Sequence, residues 1–151
     1  LIRFKIKKKI VKIALYYPSN FEVDILKILE FNSILAQDTL LPIIEKNNLM
    51  KFFPWKKNEI LFVNEFGILE PAKTNAKVPD IMLVPILAFD KNKYRLGYGK
   101  GFYDRYLNIY LKQFKNILTV GVAFSIQRHH KLPINQNDVK LDFIITEKGI
   151  Y

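Results

Sequence analysis

The sequence predicts an α/β domain: a single-domain, three-layer sandwich with a mostly parallel sheet and helices on both faces. Three observations carry this. Ile81-Met82-Leu83-Val84-Pro85-Ile86-Leu87-Ala88-Phe89 is a near-continuous apolar run, which suits a parallel strand covered on both faces. A glycine-rich turn follows it and opens into a helical stripe. Strand-like and helix-like segments alternate toward both ends of the chain, and right-handed crossovers join such units into a parallel sheet.

Taken in order, residues 10–17 read as a buried strand closed by Pro18. Ser19 and Glu22 have capping-box spacing, and Phe21, Ile25, Ile28 and Leu29 recur at helical spacing, so a helix is expected up to Asn32 and Ser33. Residues 39–44 and 49–53 are short apolar runs separated by Asn47 and Asn48, with Pro54 closing the second. Pro42 makes the first of these an expected edge or broken strand. Residues 59–63 read as a strand, 66–71 as a turn with a short extended piece, and 72–79 as a polar loop. After the central run, 90–93 is a polar turn. Phe102, Tyr106, Ile109, Tyr110 and Phe114 form a helical stripe. Residues 117–124 are a strand, 127–137 a polar loop and 141–146 the last strand. Ligands of such sheets sit at the carboxyl ends of the strands.

Composition narrows the function classes. The chain of 151 residues is half hydrophobic, which fits one globular domain and not a disordered one. It has no cysteine, so disulfide frameworks and thiol chemistry are excluded and a cytoplasmic enzyme is expected. No apolar run approaches the roughly 20 residues needed to cross a bilayer. The net charge is +10, but Arg3, Lys5, Lys7, Lys8, Lys9 and Lys12 all precede the first acid, Glu22. Such a basic end could meet nucleic acid or an anionic membrane. The rest of the chain lacks basic residues interleaved with aromatics, so the run reads as a solvated lead-in, with no membrane or nucleic-acid partner and a monomer expected.

The chemistry-bearing stretch is Arg95-Leu96-Gly97-Tyr98-Gly99-Lys100-Gly101-Phe102-Tyr103-Asp104-Arg105-Tyr106-Leu107. It is neither a Walker A loop nor G-x-G-x-x-G. Its glycines could bring backbone amides close to an anion at a helix N-terminus, or could simply make a tight turn. Arg95 and Lys100 favour the anion, because each offers a donor that an empty turn does not need. Asp104 could complement the helix dipole or ligate Mg²⁺ beside a phosphate, and Asp138 could be a loop acid or a second ligand. Glu22 could be a cap. Trp55 could be core or could stack on a flat ligand ring. His129 and His130 are adjacent without further ligand spacing, which does not make a metal site.

The run from Phe89-Asp90 through Leu107 resembles the signature of the 5-formyltetrahydrofolate cyclo-ligase family. Gly67-Ile68-Leu69-Glu70-Pro71, Val84-Pro85, Gly121-Val122-Ala123-Phe124 with Gln127, Leu132-Pro133, Asn137-Asp138 and Thr146-Glu147-Lys148-Gly149 extend the resemblance over about residues 10–151. It implies ATP- and Mg²⁺-dependent cyclisation of 5-formyltetrahydrofolate to 5,10-methenyltetrahydrofolate, with ADP and phosphate released. It implies that Arg95, Leu96, Gly97, Tyr98, Gly99, Lys100, Gly101, Phe102 and Tyr103 hold ATP, with Arg95, Lys100 and Tyr103 serving the chemistry. By the same resemblance Tyr17 and Glu22 line the folate pocket, and Asp104 and Asp138 bind Mg²⁺; Trp55, as an aromatic that can stack on a flat ring, is expected beside the folate as well. Asn137 stands where relatives commonly have His. The family pattern also begins with a helix whose Lys and Arg reach ATP, whereas here Leu1-Ile2-Arg3-Phe4-Lys5 runs almost straight into the first strand. That helix is therefore expected to be missing, and a weakened or non-catalytic folate- or nucleotide-binding relative is the alternative reading.

Overall fold

The structure is a computed structural model that describes residues 11–19, 21–31, 38–114 and 117–151. The readings made for residues 1–10 and for the helix end at Asn32 and Ser33 lie outside the described residues.

Among the described residues, seven strands form one sheet in the order β11-β10-β9-β6-β1-β2-β3. These are β1 (Lys12–Ala14), β2 (Asp38–Ile44), β3 (Met50–Pro54), β6 (Ile81–Pro85), β9 (Leu118–Val122), β10 (Phe143–Thr146) and β11 (Gly149–Ile150). The inner pairs β10–β9, β9–β6, β6–β1 and β1–β2 are parallel. The two outermost pairs, β2–β3 and β10–β11, are antiparallel. Two small hairpins stand apart: β4 (Phe62–Val63) with β5 (Leu69–Glu70), and β7 (Ala88–Phe89) with β8 (Arg95–Leu96). Among the described residues one α-helix, α1 (Phe102–Gln113), follows β8.

The expected central strand is β6, in the middle of the sheet. Its side chains alternate between two buried clusters. Met82 and Val84 face the cluster that holds Phe52, Tyr106 and Leu107, while Ile81 and Leu83 pack on the cluster that holds Leu15, Ile25, Leu29 and Trp55. A strand buried on both sides has no polar face, hence the unbroken apolar run. The run ends in the sheet at Pro85, after which the chain turns off into β7.

Three sequence expectations need correction. The helix expected from Phe21 is a short 3-10 helix, Leu26–Glu30. Glu22 turns back on Ser19, its Oε2 accepting the Ser19 N–H at 2.8 Å, while the Glu22 N–H donates to the Ser19 carbonyl at 3.0 Å. Asp24 Oδ1 then accepts the Leu26 N–H at 3.0 Å and starts a second turn. The capping signal is thus used up in a tight turn, and the face opposite α1 is covered by 3-10 structure. Second, β2 is an interior strand despite Pro42. Its neighbour β1 pairs only as far as Ala14 with Leu40, so the N–H that Pro42 lacks has no ladder partner to miss. Two residues on, the Ile44 N–H is taken by Glu70 Oε1 at 2.7 Å. Third, α1 buries Tyr106 and Leu107, whereas Ile109 and Phe114 are exposed. Phe52 meets Tyr106 edge-on at 5.0 Å and Tyr106 stacks on Tyr110 at 4.1 Å, so the aromatic part of the stripe anchors the helix.

Candidate active site

Because β1 and β6 lie side by side and parallel, Tyr16 to Ser19 after β1, Pro85 at the end of β6 and Leu87 beyond it emerge at the same edge of the sheet. There they wall a cavity of about 1420 Å³, closed by the glycine loop, the start of α1, the β4–β5 turn and residues 133–138. Ordinary ligand pockets are about 300–1,000 Å³, so this cleft is larger than one that holds a single drug-sized ligand.

Hairpin β7–β8 delivers the glycine loop to this edge. Gly99 and Gly101 have φ of +81° and +65°, the left-handed region that a side chain strains. Gly97 serves a different purpose: a Cβ there would lie 3.1 Å from Arg95 Nη1, so its absence makes room for the guanidinium. Gly101 is the N-cap of α1 and supplies no side-chain hydrogen bond, leaving the first-turn amides for a ligand or water.

The Arg95 side chain is only 5% exposed, with Nη2 3.0 Å from Asp104 Oδ2. The guanidinium also lies 5.5 Å from the Tyr103 ring centre. Yet Nε and Nη2 are buried without a hydrogen bond of proper geometry. A buried cation with unmade donors is costly, about 1–3 kcal/mol per group, unless something else accepts from it. Tyr103 beside it is held neutral: burial pushes its hydroxyl well above the usual phenol range, Glu22 adds to this, Arg95 opposes it and Tyr16 adds a little more. The Tyr16 hydroxyl, which donates to the Val23 carbonyl at 2.9 Å, is pushed up by burial first and then by Glu22 and Asp24. The field of Glu22 therefore reaches both phenols.

Asp104 and Asp138 both line the cavity. Asp104 Oδ1 accepts the Val139 N–H at 3.1 Å, which seats the residue after Asp138 against α1. Asp138 Oδ2 accepts the Asn135 N–H at 2.7 Å, and Asn108 Nδ2 donates to the Asn137 carbonyl at 2.7 Å. Tyr17 and Glu22 line the same cavity, and Ser19 Oγ lies 2.9 Å from the Tyr98 hydroxyl, joining the segment after β1 to the glycine loop. Lys100 sits at the rim, with Nζ 5.8 Å from the Phe66 ring centre.

A model described as the 5-formyltetrahydrofolate cyclo-ligase family matches residues 1–147. The chain belongs to that family. It is 33% identical over 152 residues to a 5-formyltetrahydrofolate cyclo-ligase of Mycoplasma pneumoniae, covering 98% of this chain and 80% of the relative. A solved 5,10-methenyltetrahydrofolate synthetase from Mycoplasma pneumoniae matches with TM-score 0.67 and 30% identity, over 91% of this chain and 73% of that one. The solved Aquifex aeolicus 5,10-methenyltetrahydrofolate synthetase matches with TM-score 0.72 and 35% identity, over 94% and 71%. Membership makes the chain a cyclo-ligase with a single-domain α/β fold, a ligase of one-carbon folate metabolism.

One residue of the expected folate pocket stands outside it. Trp55 is 4% exposed and belongs to the cluster on the far face, with its Nε1–H donating to the Glu59 carbonyl at 3.3 Å. The Thr39 hydroxyl donates to the Trp55 carbonyl and the Trp55 N–H donates to the Thr39 carbonyl at 2.9 Å, fixing this position to β2. Trp55→Phe is expected to lower stability by about 1 kcal/mol, the usual scale for a core substitution, with folate KM unchanged. Thermal unfolding beside steady-state kinetics checks this. Conversely, Phe66, Ile68 and Leu69 of the β4–β5 turn line the cavity and were not singled out as site residues. Their signal was the exposed apolar pair Phe66 and Ile68 in a glycine turn, where solvent alone gives no reason for them.

The cyclo-ligase chain shows no helix long and apolar enough to cross a membrane among its described residues.

Proposed function

We propose that the chain converts 5-formyltetrahydrofolate to 5,10-methenyltetrahydrofolate at the expense of ATP, with the ATP phosphates on the loop 95–103 and the folate against Tyr17 and Glu22. What supports this most is the buried Arg95 guanidinium in the wall of a large cavity, which has only the off-line Asp104 carboxylate beside Nη2 and no hydrogen bond at Nε or Nη2. A phosphoryl oxygen supplies what is missing. The positive-φ glycines and the open first turn of α1 add amides of the same polarity.

The chemistry needs positioning more than a strong base. The formyl oxygen attacks the γ-phosphorus, and the bond to the ADP oxygen breaks. Oxygen that was a poor leaving group becomes part of a phosphate ester. N10 then attacks the formyl carbon, loses its proton, and phosphate departs with the C–O bonding pair to leave the cyclic amidinium. Arg95 and Lys100 offset charge on the transferring group, and neutral Tyr103 can only donate to it.

Mg²⁺ fits the donors present. Asp104 and Asp138 offer hard oxygens in one cavity, and no group of three or more acids or histidines suited to a metal occurs among the described residues. Mg²⁺ characteristically takes one or two carboxylates and completes its shell with water and phosphate oxygens. Bound there, it would neutralise phosphate charge. Asp104→Asn is therefore expected to raise the Mg²⁺ concentration giving half-maximal rate by about tenfold, the usual scale for weakening a metal's ligand set. An unchanged Mg²⁺ dependence would leave Asp104 as a structural partner of Arg95 and the Val139 N–H.

Mixing the protein with 5-formyltetrahydrofolate, ATP and Mg²⁺ should yield the near-ultraviolet absorbance of the methenyl product, and none without ATP. No product at high protein concentration, with a control enzyme active, would reject catalysis.

A further inference from the structure

Arg95 and the glycine loop hang on a hairpin that has left the main sheet, so something must fix that hairpin. Beyond Pro85, the carbonyls of Ile86 and Leu87 have no strand beside them in the sheet. Gln127 supplies the partner. Its Nε2 donates to the Ile86 carbonyl at 2.8 Å and to the Leu87 carbonyl at 3.1 Å, and its Oε1 accepts the Phe124 N–H at 2.6 Å. Two donors meeting two carbonyls fix the orientation of the amide, because the flipped amide would set oxygen against oxygen. The next link reaches the loop: the Leu87 N–H donates to the Leu96 carbonyl at 2.9 Å, beside Arg95, which pairs with Phe89.

Gln127 is itself held. Ser125, in the same 3-10 turn, donates its N–H to Glu147 Oε2 at 2.8 Å and its hydroxyl to Glu147 Oε1. Downstream, the His129 N–H donates to the Phe89 carbonyl at 2.7 Å, so residues 127–129 run along β7. Gln127 does not line the cavity.

We propose that Gln127 is a positioning residue for the cyclo-ligase reaction: it clamps the departure of β6 into hairpin β7–β8 and so holds Arg95 and the glycine loop at the phosphates. This rests on the reading of loop 95–103 as the ATP-phosphate site. Gln127→Glu keeps the shape but sets carboxylate oxygen against both carbonyls. Gln127→Met keeps the bulk and loses every hydrogen bond. Ser125→Ala loosens the same turn more gently.

The test is ATP affinity by calorimetry, ATP and folate KM, and thermal unfolding, for wild type, the three variants and each combined with Arg95→Ala. Misplacing a positioned group by about 1 Å can cost on the order of 100-fold, so both Gln127 variants should weaken ATP binding at least about tenfold, with folate KM within about twofold. Ser125→Ala should follow in the same direction, and it keeps the test open should a Gln127 variant fail to fold. On the Arg95→Ala background the Gln127 changes should cost clearly less than they do in the wild type, because one of the two positioned elements is gone and only the glycine loop remains to be misplaced. ATP affinity retained in all three variants, or equal losses for ATP and folate that track thermal stability, would overturn the proposal. A wild type that binds no ATP would instead overturn the reading of the loop, and this proposal with it.

Discussion

Arg95→Ala should lower kcat/KM by about 100- to 1,000-fold, the cost of removing one preorganised charge-stabilising donor from a closed site. The basis is that its guanidinium is buried, pairs with Asp104, lacks a hydrogen bond at Nε and Nη2, and belongs to the cavity lining. Arg95→Lys should recover less than about tenfold of the loss, because an ammonium is a point charge and cannot reproduce the fork of Nε and Nη donors. Removing Arg95 also leaves Asp104 without its cation, so the variant should be checked for cooperative unfolding. Steady-state kinetics with ATP varied against fixed 5-formyltetrahydrofolate decides the matter. A change under about fivefold in kcat/KM, far below the loss expected for a charge-stabilising donor, would mean that Arg95 serves only to pair Asp104.

The largest expected loss of stability is Gly121→Val. Gly121 lies in β9 between Val84 of β6 and Ile144 of β10. A Cβ there would fall on Ile86 Cδ1, 2.8 Å from Leu141 Cδ1 and 3.3 Å from Ile144 Cγ1. All three neighbours are almost fully buried and have no solvent to turn into. Overpacking of this kind costs about 1–3 kcal/mol, and valine at a site already closed to one carbon belongs at the upper end. For a chain of this size about 3 kcal/mol lowers Tm by about 6–12 °C. Gly121→Ala should show a smaller fall of the same sign. A Tm within about 2 °C of wild type for the valine variant would mean that the core there yields, contrary to its close packing.

The parts of the fold that are local or two-sided were legible in the sequence. The run 81–89 announced a strand covered on both faces, and the glycine stretch before Phe102 announced a turn into a helix. What escaped depends on where other segments stop. That Pro42 is harmless inside the sheet follows from β1 ending at Ala14, which no residue near Pro42 records. The expected first helix failed because Glu22 and Asp24 each cap a separate turn, although the apolar spacing alone fits a single helix. Trp55 beside Pro54 could be core or a stacking aromatic by sequence alone, and its place in the cluster with Leu15, Ile25 and Leu29 decides for the core. At the site, Arg95, Asp104, Asp138, Tyr17 and Glu22 stood out by residue type and resemblance, and the fold brings them to one cavity. Gln127 could not be read as a clamp, because its partners at Ile86 and Leu87 are some forty residues away.

The most direct measurement of where the phosphates bind is the amide nitrogen–proton spectrum of labelled protein during titration with ATP and Mg²⁺. The largest shifts should fall on Gly97, Gly99, Gly101, Phe102 and Tyr103, with the Arg95 Nε–H signal moving as it gains an acceptor. Shifts confined to other parts of the chain, with these amides and the Arg95 side chain unmoved at saturating ATP, would contradict the placement of the triphosphate on the glycine loop.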